Sequence, residues 1–144
     1  PYFAPTPNIL FQLKAAARRG VDVRFVLTRK SDVQISRLAA FGLYRKLIKA
    51  GVELYEYEPT ILHRKLWLID DAVLVGSGNL NHRSFLHDLE LDVILRSPAE
   101  QAEAAGLFLD DQLNSYRVEE GYLENLGLGK RILSWVAGWF IYWL

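Results

Sequence analysis

Two residue types are missing from this chain: its 144 residues include no cysteine and no methionine. Without Cys there is no disulfide, no thiolate metal site and no thiol nucleophile, and the composition suits a reducing compartment. Net charge is missing too. Lys plus Arg and Asp plus Glu number 17 each, so the formal charge is zero, and bulk electrostatics supply no argument for nucleic acid as a partner. No apolar run reaches the roughly 20 residues of a membrane-spanning helix; the longest nearly apolar stretch is Ile132 to Leu144. No secretory signal is visible. The chain opens on Pro1-Tyr2-Phe3-Ala4-Pro5, which reads as a strand entering a turn. With no initiating Met, the expectation is a fragment whose N-terminal part is missing. What is there, 51% apolar and 24% charged, is ordinary for one globular domain with a sizeable core.

The apolar pattern predicts β-α-β-α-β in the first 57 residues. Residues 2–4 read as a strand end. A helix capped by Asn8 runs to about Arg19 and is stopped by Gly20. Val21 to Leu27 is a strand rich in β-branched residues. A second helix, capped by Asp32, covers about 33–50 and is closed by Gly51, and Val52 to Tyr57 is the next strand. Strands alternating with helices imply parallel pairing with helices on the sheet faces. Then the pattern changes. Ile61 to Ile69 and Ala72 to Val75 read as strands joined by a tight turn at Asp70-Asp71. A loop with a short helical turn covers 76–87, and Leu89 to Arg96 alternates as another strand. A helix capped by Ser97, with Pro98 in its first turn, extends to about Arg117. Domain organisation is read as a catalytic domain over 1–120 and an apolar, Trp-rich tail over 121–144.

The chemistry concentrates in His63-Arg64-Lys65-Leu66-Trp67-Leu68-Ile69-Asp70 and in Gly76-Ser77-Gly78-Asn79. Residues i and i+2 of a strand share a face, so His63 and Lys65 face one site together. Ser77 and Asn79 repeat the spacing just after the next strand. An imidazole, a fixed cation and two neutral donors are a kit for phosphoryl transfer without a metal; turn chemistry also accounts for Ser77 and Asn79 beside their glycines. His63, His82 and His87 lack metal-ligand spacing on any one element, so no metal and no cofactor is expected. Asp70 lies at an odd separation from His63, which places it on the other face or in the turn and gives it a structural role.

H-x-K-x4-D followed by G-S-x-N resembles the signature of the phospholipase D superfamily. The run Tyr2-Phe3-Ala4-Pro5, the Arg18-Arg19-Gly20-Val21-Asp22-Val23 step, Ser31-Asp32, the Asn79-Leu80-Asn81-His82-Arg83-Ser84 run and Leu86-His87-Asp88-Leu89-Glu90 are also similar to that family, in particular to the C-terminal half of bacterial cardiolipin synthases. There are two departures: five residues rather than six separate Asp70 from the Gly-Ser pair, and Asn81 stands where Asp is common. The resemblance implies an α/β fold, an α-β-α sandwich with a mixed β-sheet flanked by helices, forming one half of a two-lobed or dimeric enzyme.

On that resemblance His63 is the nucleophile or the general acid, the chemistry passing through a phospho-histidine. Lys65 holds phosphoryl oxygens, with Ser77 and Asn79 donating to the same oxygens. Glu90, on a strand, orients the His63 imidazole, and Asp92 on the same face is its alternative. His82 and Arg83 are candidates for substrate contact, although a surface loop explains them equally. One H-x-K motif is half of a site, so a missing N-terminal half or a second copy is needed to complete it, and the fragment alone is expected to be inactive. The expected activity is transfer of a phosphatidyl group to an alcohol such as phosphatidylglycerol. A hydrolytic phospholipase D, a nuclease of the same fold, and a membrane-bound scaffold with a decayed partner motif are the alternatives, and nucleic acid is not favoured. Trp135, Trp139 and Trp143 recur every four residues after Lys130-Arg131. This pattern suits a membrane surface contact through 131–144, on the bacterial cytoplasmic membrane; a helix packed on the domain is the other reading.

Overall fold

The computed structural model of the chain describes residues 1–123 and 127–137. Helix α1 spans Pro7–Arg18. Its cap is Thr6, whose hydroxyl accepts from the Ile9 N–H at 3.4 Å, while Asn8, the expected cap, lies inside the first turn behind Pro7. Gly20 follows at φ 89°, a conformation that suits glycine. Strand β1 covers Arg24–Thr28, helix α2 Gln34–Ile48 and strand β2 Glu53–Tyr57. No side chain caps α2 at its N-cap, Val33. Ser31 Oγ accepts from the Val33 N–H, and Asp32, expected as the cap, is held by Tyr2 instead. β1 and β2 run parallel with Arg24 opposite Glu53, as a β-α-β unit requires.

The second half begins with a hairpin, β3 at Leu66–Ile69 and β4 at Ala72–Gly76, in antiparallel register. Asp70 turns it at φ 50°, left-handed backbone that Asp tolerates better than most residues. Helix α3 (His82–Leu86) follows, then β5 (Asp92–Leu95), antiparallel to β4. Helix α4, Pro98–Leu113, carries the full capping box of Ser97 and Glu100. It stops four residues short of the expected end. Ser115–Val118 forms β6 instead, pairing antiparallel with the free edge of β2, Leu54 opposite Val118. Tertiary pairing overrides helix continuation here, helped by the β-favouring Tyr116 and Val118. A 3-10 turn at Glu120–Leu123 and helix α5, Leu128–Ala137, complete the described chain.

The strands fall into two three-stranded sheets, β1-β2-β6 and β3-β4-β5. Several expected strands start later than their apolar runs. Residues 2–4 give only a bridge between Ala4 and Asn81, Val21 to Val23 lies outside β1, Ile61 to Lys65 outside β3, and Leu89 to Leu91 outside β5. The core joins α2 to the first sheet through Tyr44, Leu47, Val52, Leu54 and Val118, with Phe3 and Phe41 at its margins. α5 lies against α2, burying Ser134 and Ala137.

That core contains a carboxylate. Glu56 on β2 is 0% exposed. Tyr44 of α2 donates to its Oε1 at 3.2 Å, Tyr122 donates to Oε2 at 2.8 Å, and the Arg37 guanidinium lies 3.5 Å from Oε2. The same guanidinium sits 4.7 Å over the Phe41 ring. Burial and the neighbouring carboxylate push the Tyr122 hydroxyl from 10.0 up to about 12 and the Tyr44 hydroxyl well above its ordinary value. A raised folded pKa gives stability that is present below the unfolded pKa and lost as pH rises through the folded one. The protein therefore loses stability between pH 10 and about 12, measured as a falling urea midpoint. Glu56→Ala, which strands Arg37 and two hydroxyls, costs roughly 3–5 kcal/mol, and Tyr122→Phe about 1.5–3 kcal/mol by the same measurement.

Candidate active site

The signature residues meet where the segment leading into β3 passes the loop after β4. That segment is pinned by the Leu62 N–H, which donates to Thr28 Oγ at the end of β1 at 3.1 Å. His63 and Lys65 precede β3 rather than lying on it, yet the backbone is extended enough to keep them side by side. Lys65 Nζ is 3.0 Å from His63 Nδ1 and 3.3 Å from Nε2, and donates to the His63 carbonyl at 3.0 Å. Arg64 between them turns to Asp111 of α4 at 2.9 Å. His63 is exposed and Lys65 half-buried. Burial lowers the Lys65 pKa, opposed by the charges of Glu90 and Asp32.

The pairing of Glu90 with His63 is not what the structure shows. Glu90 lies just before β5 and accepts from the Ser77 hydroxyl, which itself accepts from the Leu91 N–H at 3.0 Å. The Ser77 bond, then one from Ser84, holds the Glu90 carboxyl below its usual value. The Ser77 proton is thus committed to Glu90, not offered to a ligand. The Tyr2 ring meets His63 edge-on at 6.0 Å, and Tyr2 Oη donates to both Asp32 oxygens at 3.0 and 2.9 Å. That bond leads the lowering of the Asp32 pKa, to which the charge of His63 also contributes. Tyr2 and Asp32 were both visible in the sequence, but nothing local joins residues 30 positions apart.

Asn79 donates its backbone N–H to Ser84 Oγ at 3.1 Å, while its side-chain Oδ1 is buried with no hydrogen-bond partner. The loop that carries Ser77 and Asn79 is shaped by Asp92, whose Oδ1 accepts from the Gly78 N–H at 3.2 Å. A Cβ on Gly78 would lie 2.8 Å from Asp92 Oδ2, and one on Gly76 would collide with Asp92 and with the Leu91 carbonyl. The two glycines are therefore required by close approach. Asp92 holds the loop rather than serving as an alternative to Glu90 at the imidazole. Asp70 sits in the hairpin turn between β3 and β4. Arg83 pairs with Asp88 at 2.9 Å, and the His82 ring packs against His87 at 5.5 Å. Among the described residues no cluster of His, Asp and Glu could hold a metal ion.

The structure sets the His63 imidazole beside the Lys65 ammonium. Residues 1–111 match the family model described as cardiolipin synthase, PLD-like domain. The chain belongs to this phospholipase D-like family. It is 33% identical over 135 residues to cardiolipin synthase 2 of Bacillus cereus, covering 93% of this chain and 26% of that protein. With cardiolipin synthase A of Salmonella arizonae it shares 34% identity over 124 residues, covering 85% of this chain and 25% of that protein. The chain thus spans about a quarter of the length of the curated relatives it matches. Two solved structures share the phospholipase D-like fold. Nuc, a phospholipase D family member from Salmonella typhimurium, has a TM-score of 0.68 at 24% identity, over 82% of this chain and 78% of that one. The phosphatidylserine synthase of Haemophilus influenzae has a TM-score of 0.65 at 16% identity, over 97% of this chain and 37% of that one. The expected mixed α/β architecture of the family is therefore present, with its strands divided between two sheets.

Gly76→Ala forces the β4–β5 junction apart and lowers stability by roughly 1–3 kcal/mol in chemical unfolding. Asp92→Ala frees the Gly78 amide, read as faster hydrogen exchange there, whereas Asp92→Asn keeps the acceptor and the protection.

Proposed function

We propose that this chain is the C-terminal catalytic half of a phosphatidyltransferase resembling cardiolipin synthase. The observation that carries the reading is the His63–Lys65 contact at 3.0 Å in a member of this family, with Asn79 lining the same cavity as Lys65. In the first step a ring nitrogen of one imidazole bonds to phosphorus as the bond to the leaving alcohol breaks, and the second imidazole protonates that alcohol. In the second step the acceptor hydroxyl, such as the glycerol end of phosphatidylglycerol, gives its proton to the second imidazole and attacks phosphorus, releasing the first. His63 fills one of these roles, and the other half of the protein or a second copy fills the other. Lys65 and Asn79 contact the phosphoryl oxygens. Ser77 acts by fixing Glu90, whose negative charge faces Lys65 and keeps the ammonium in place.

Helix α5 supports a membrane contact. α5 leaves Leu128, Ile132, Leu133 and Trp135 exposed, Trp135 by 64%, while Ser134 and Ala137 face α2. Helix α5 packs on α2 and leaves these apolar side chains exposed, which supports the membrane reading of the tail. No helix among the described residues is long and apolar enough to cross a membrane. Peripheral contact with the bacterial cytoplasmic membrane is the proposed location. Trp139 and Trp143 lie outside the described residues.

The decisive experiment uses the full-length parent with labelled phosphatidylglycerol and, separately, a labelled oligonucleotide. Cardiolipin is expected as the product, lost by at least about a thousandfold in His63→Ala, as for removal of a covalent nucleophile or its acid. Cleavage of the oligonucleotide without lipid turnover would overturn the reading. Because the lowered Lys65 pKa removes the cation early, the alkaline limb of kcat falls below pH 10.5, and Lys65→Arg moves that limb upward while reducing kcat. Ile132→Asp with Trp135→Asp reduces co-sedimentation with phosphatidylglycerol vesicles by roughly tenfold; unchanged sedimentation would remove α5 from the contact.

A further inference from the structure

Among the described residues two carboxylates are buried, Glu56 and Asp111. Glu56 is matched on several sides. Asp111 is 6% exposed and sits in the last turn of α4, where the helix dipole disfavours a negative charge. Burial raises its pKa and Asp110 adds to that shift, while Arg64 opposes it. No basic residue stands in the last turn of α4 itself. Relief comes from across the fold, where Arg64 Nη1 lies 2.9 Å from Asp111 Oδ2. A local rule broken in this way marks a place under functional demand.

Arg64 stands between His63 and Lys65. In extended backbone its side chain leaves on the side opposite theirs. All three precede the paired register of β3, which begins at Leu66. Two contacts bracket His63. The Leu62 N–H donates to Thr28 Oγ at 3.1 Å on one side, and Arg64 meets Asp111 on the other. The helix that carries Asp111 is fixed by other bonds. Near its start Gln101 Nε2 donates to the Asp71 carbonyl in the hairpin turn at 2.7 Å. Beyond its end the Asn114 carbonyl accepts from the Glu58 N–H at 3.3 Å, and the Ser115 hydroxyl donates to the Asp111 carbonyl at 2.6 Å. Asp111 is thus a fixed point, and Arg64 carries its position to the segment. Drawn to Asp111, the guanidinium also leaves the Lys65 ammonium as the cation beside the imidazole.

We propose, resting on the reading of this site as catalytic, that Asp111 is a positioning residue for the His63–Lys65 pair. Through Arg64 it holds the segment ahead of β3 against α4, so that imidazole and ammonium present one geometry to a phosphodiester. A displacement of about 1 Å in a reacting group can cost on the order of 100-fold in rate. The anchor sits behind the reacting groups, so its loss appears in kcat rather than in KM.

The full-length parent tests this, with turnover read on whichever of phosphatidylglycerol and a labelled oligonucleotide it accepts. Arg64→Met combined with Asp111→Leu replaces the ion pair by apolar side chains, an exchange that buried ion pairs tolerate. At an unchanged thermal midpoint, kcat is expected to fall at least about tenfold while KM stays within about threefold. Hydrogen exchange at the amides of His63 to Lys65 is expected to speed up at least about tenfold. Asp111→Asn keeps an acceptor oxygen for Arg64 and is expected to retain most of kcat. Should the double variant melt early, Asp111→Ala against Asp111→Asn decides: loss of kcat in the first and its retention in the second count for the anchor. Parent-like kcat in the double variant overturns the proposal, as does faster exchange at 63–65 with kcat unchanged, or equal loss in the Ala and Asn variants. Turnover of the oligonucleotide alone overturns phosphatidyl transfer and leaves the anchor to be judged by the same ratios. A parent active on neither overturns both.

Discussion

A carboxylate stripped of water has to be matched on every side, and in this fold that requirement falls on Glu56. Its partners come from two elements outside its own strand. Arg37 and Tyr44 belong to α2, and Tyr122 belongs to the 3-10 turn after β6. Satisfying one charge therefore fixes the height and rotation of α2 on the sheet and brings the chain back over β2 after β6. α5 leans on α2 and inherits that placement. β2 is the middle strand, so β1 inherits it as well, and through Thr28 Oγ and the Leu62 N–H it reaches the segment that carries His63. A buried ionic cluster of this kind adds little net stability over apolar packing, but it allows few alternative arrangements.

The charges at the site follow the opposite logic. Lys65, Asp32 and Glu90 are at or near the surface, where water screens them, and each is held by one or two neutral partners rather than by a complete shell. The Asp32 carboxylate is fixed by Tyr2, and Glu90 by Ser77. Lys65 has only the imidazole and a carbonyl, with burial working against its charge. An ammonium in that position gains from any anion that arrives. The glycine loop is the stiff part of the site. Gly76 and Gly78 let Asp92 close in beneath them, so Ser77 and Asn79 keep their positions whether or not a ligand is present.

Much of this was legible in the sequence because it is local. The Ser97 cap of α4, the Asp70 turn and the glycine stops at Gly20 and Gly51 each depend on a few adjacent residues, and all are where the pattern put them. The His63–Lys65 pairing survived although the strand beneath it did not, because extended backbone alone is enough to bring i and i+2 together. Failures came where distance along the chain decides. β6 exists because β2 has a free edge about sixty residues earlier, and no periodicity within 98–117 announces that. Glu90 and Asp92 share strand spacing and suggested one face and one job. In the fold Glu90 turns to Ser77, while Asp92 enters the space left by two glycines. The glycines were a usable signal: G-S-G leaves room beside the loop, and a carboxylate two residues past Glu90 is what fills it.

For the proposed transfer, this division between stiff and responsive parts has a consequence. Phosphoryl chemistry needs donors already in place as charge builds, and a nucleophile free to bond and release. The loop supplies the first from the Asn79 side-chain amide, and Asp92 keeps the loop in place by accepting from the Gly78 N–H. The segment ahead of β3 supplies the second, because His63 and Lys65 lie outside the ladder and no sheet hydrogen bond has to break when they move. The paired register of β3 begins at Leu66, opposite Val75, so Lys65 and His63 lie one and three residues ahead of it. The imidazole therefore sits on a segment the fold positions but does not lock.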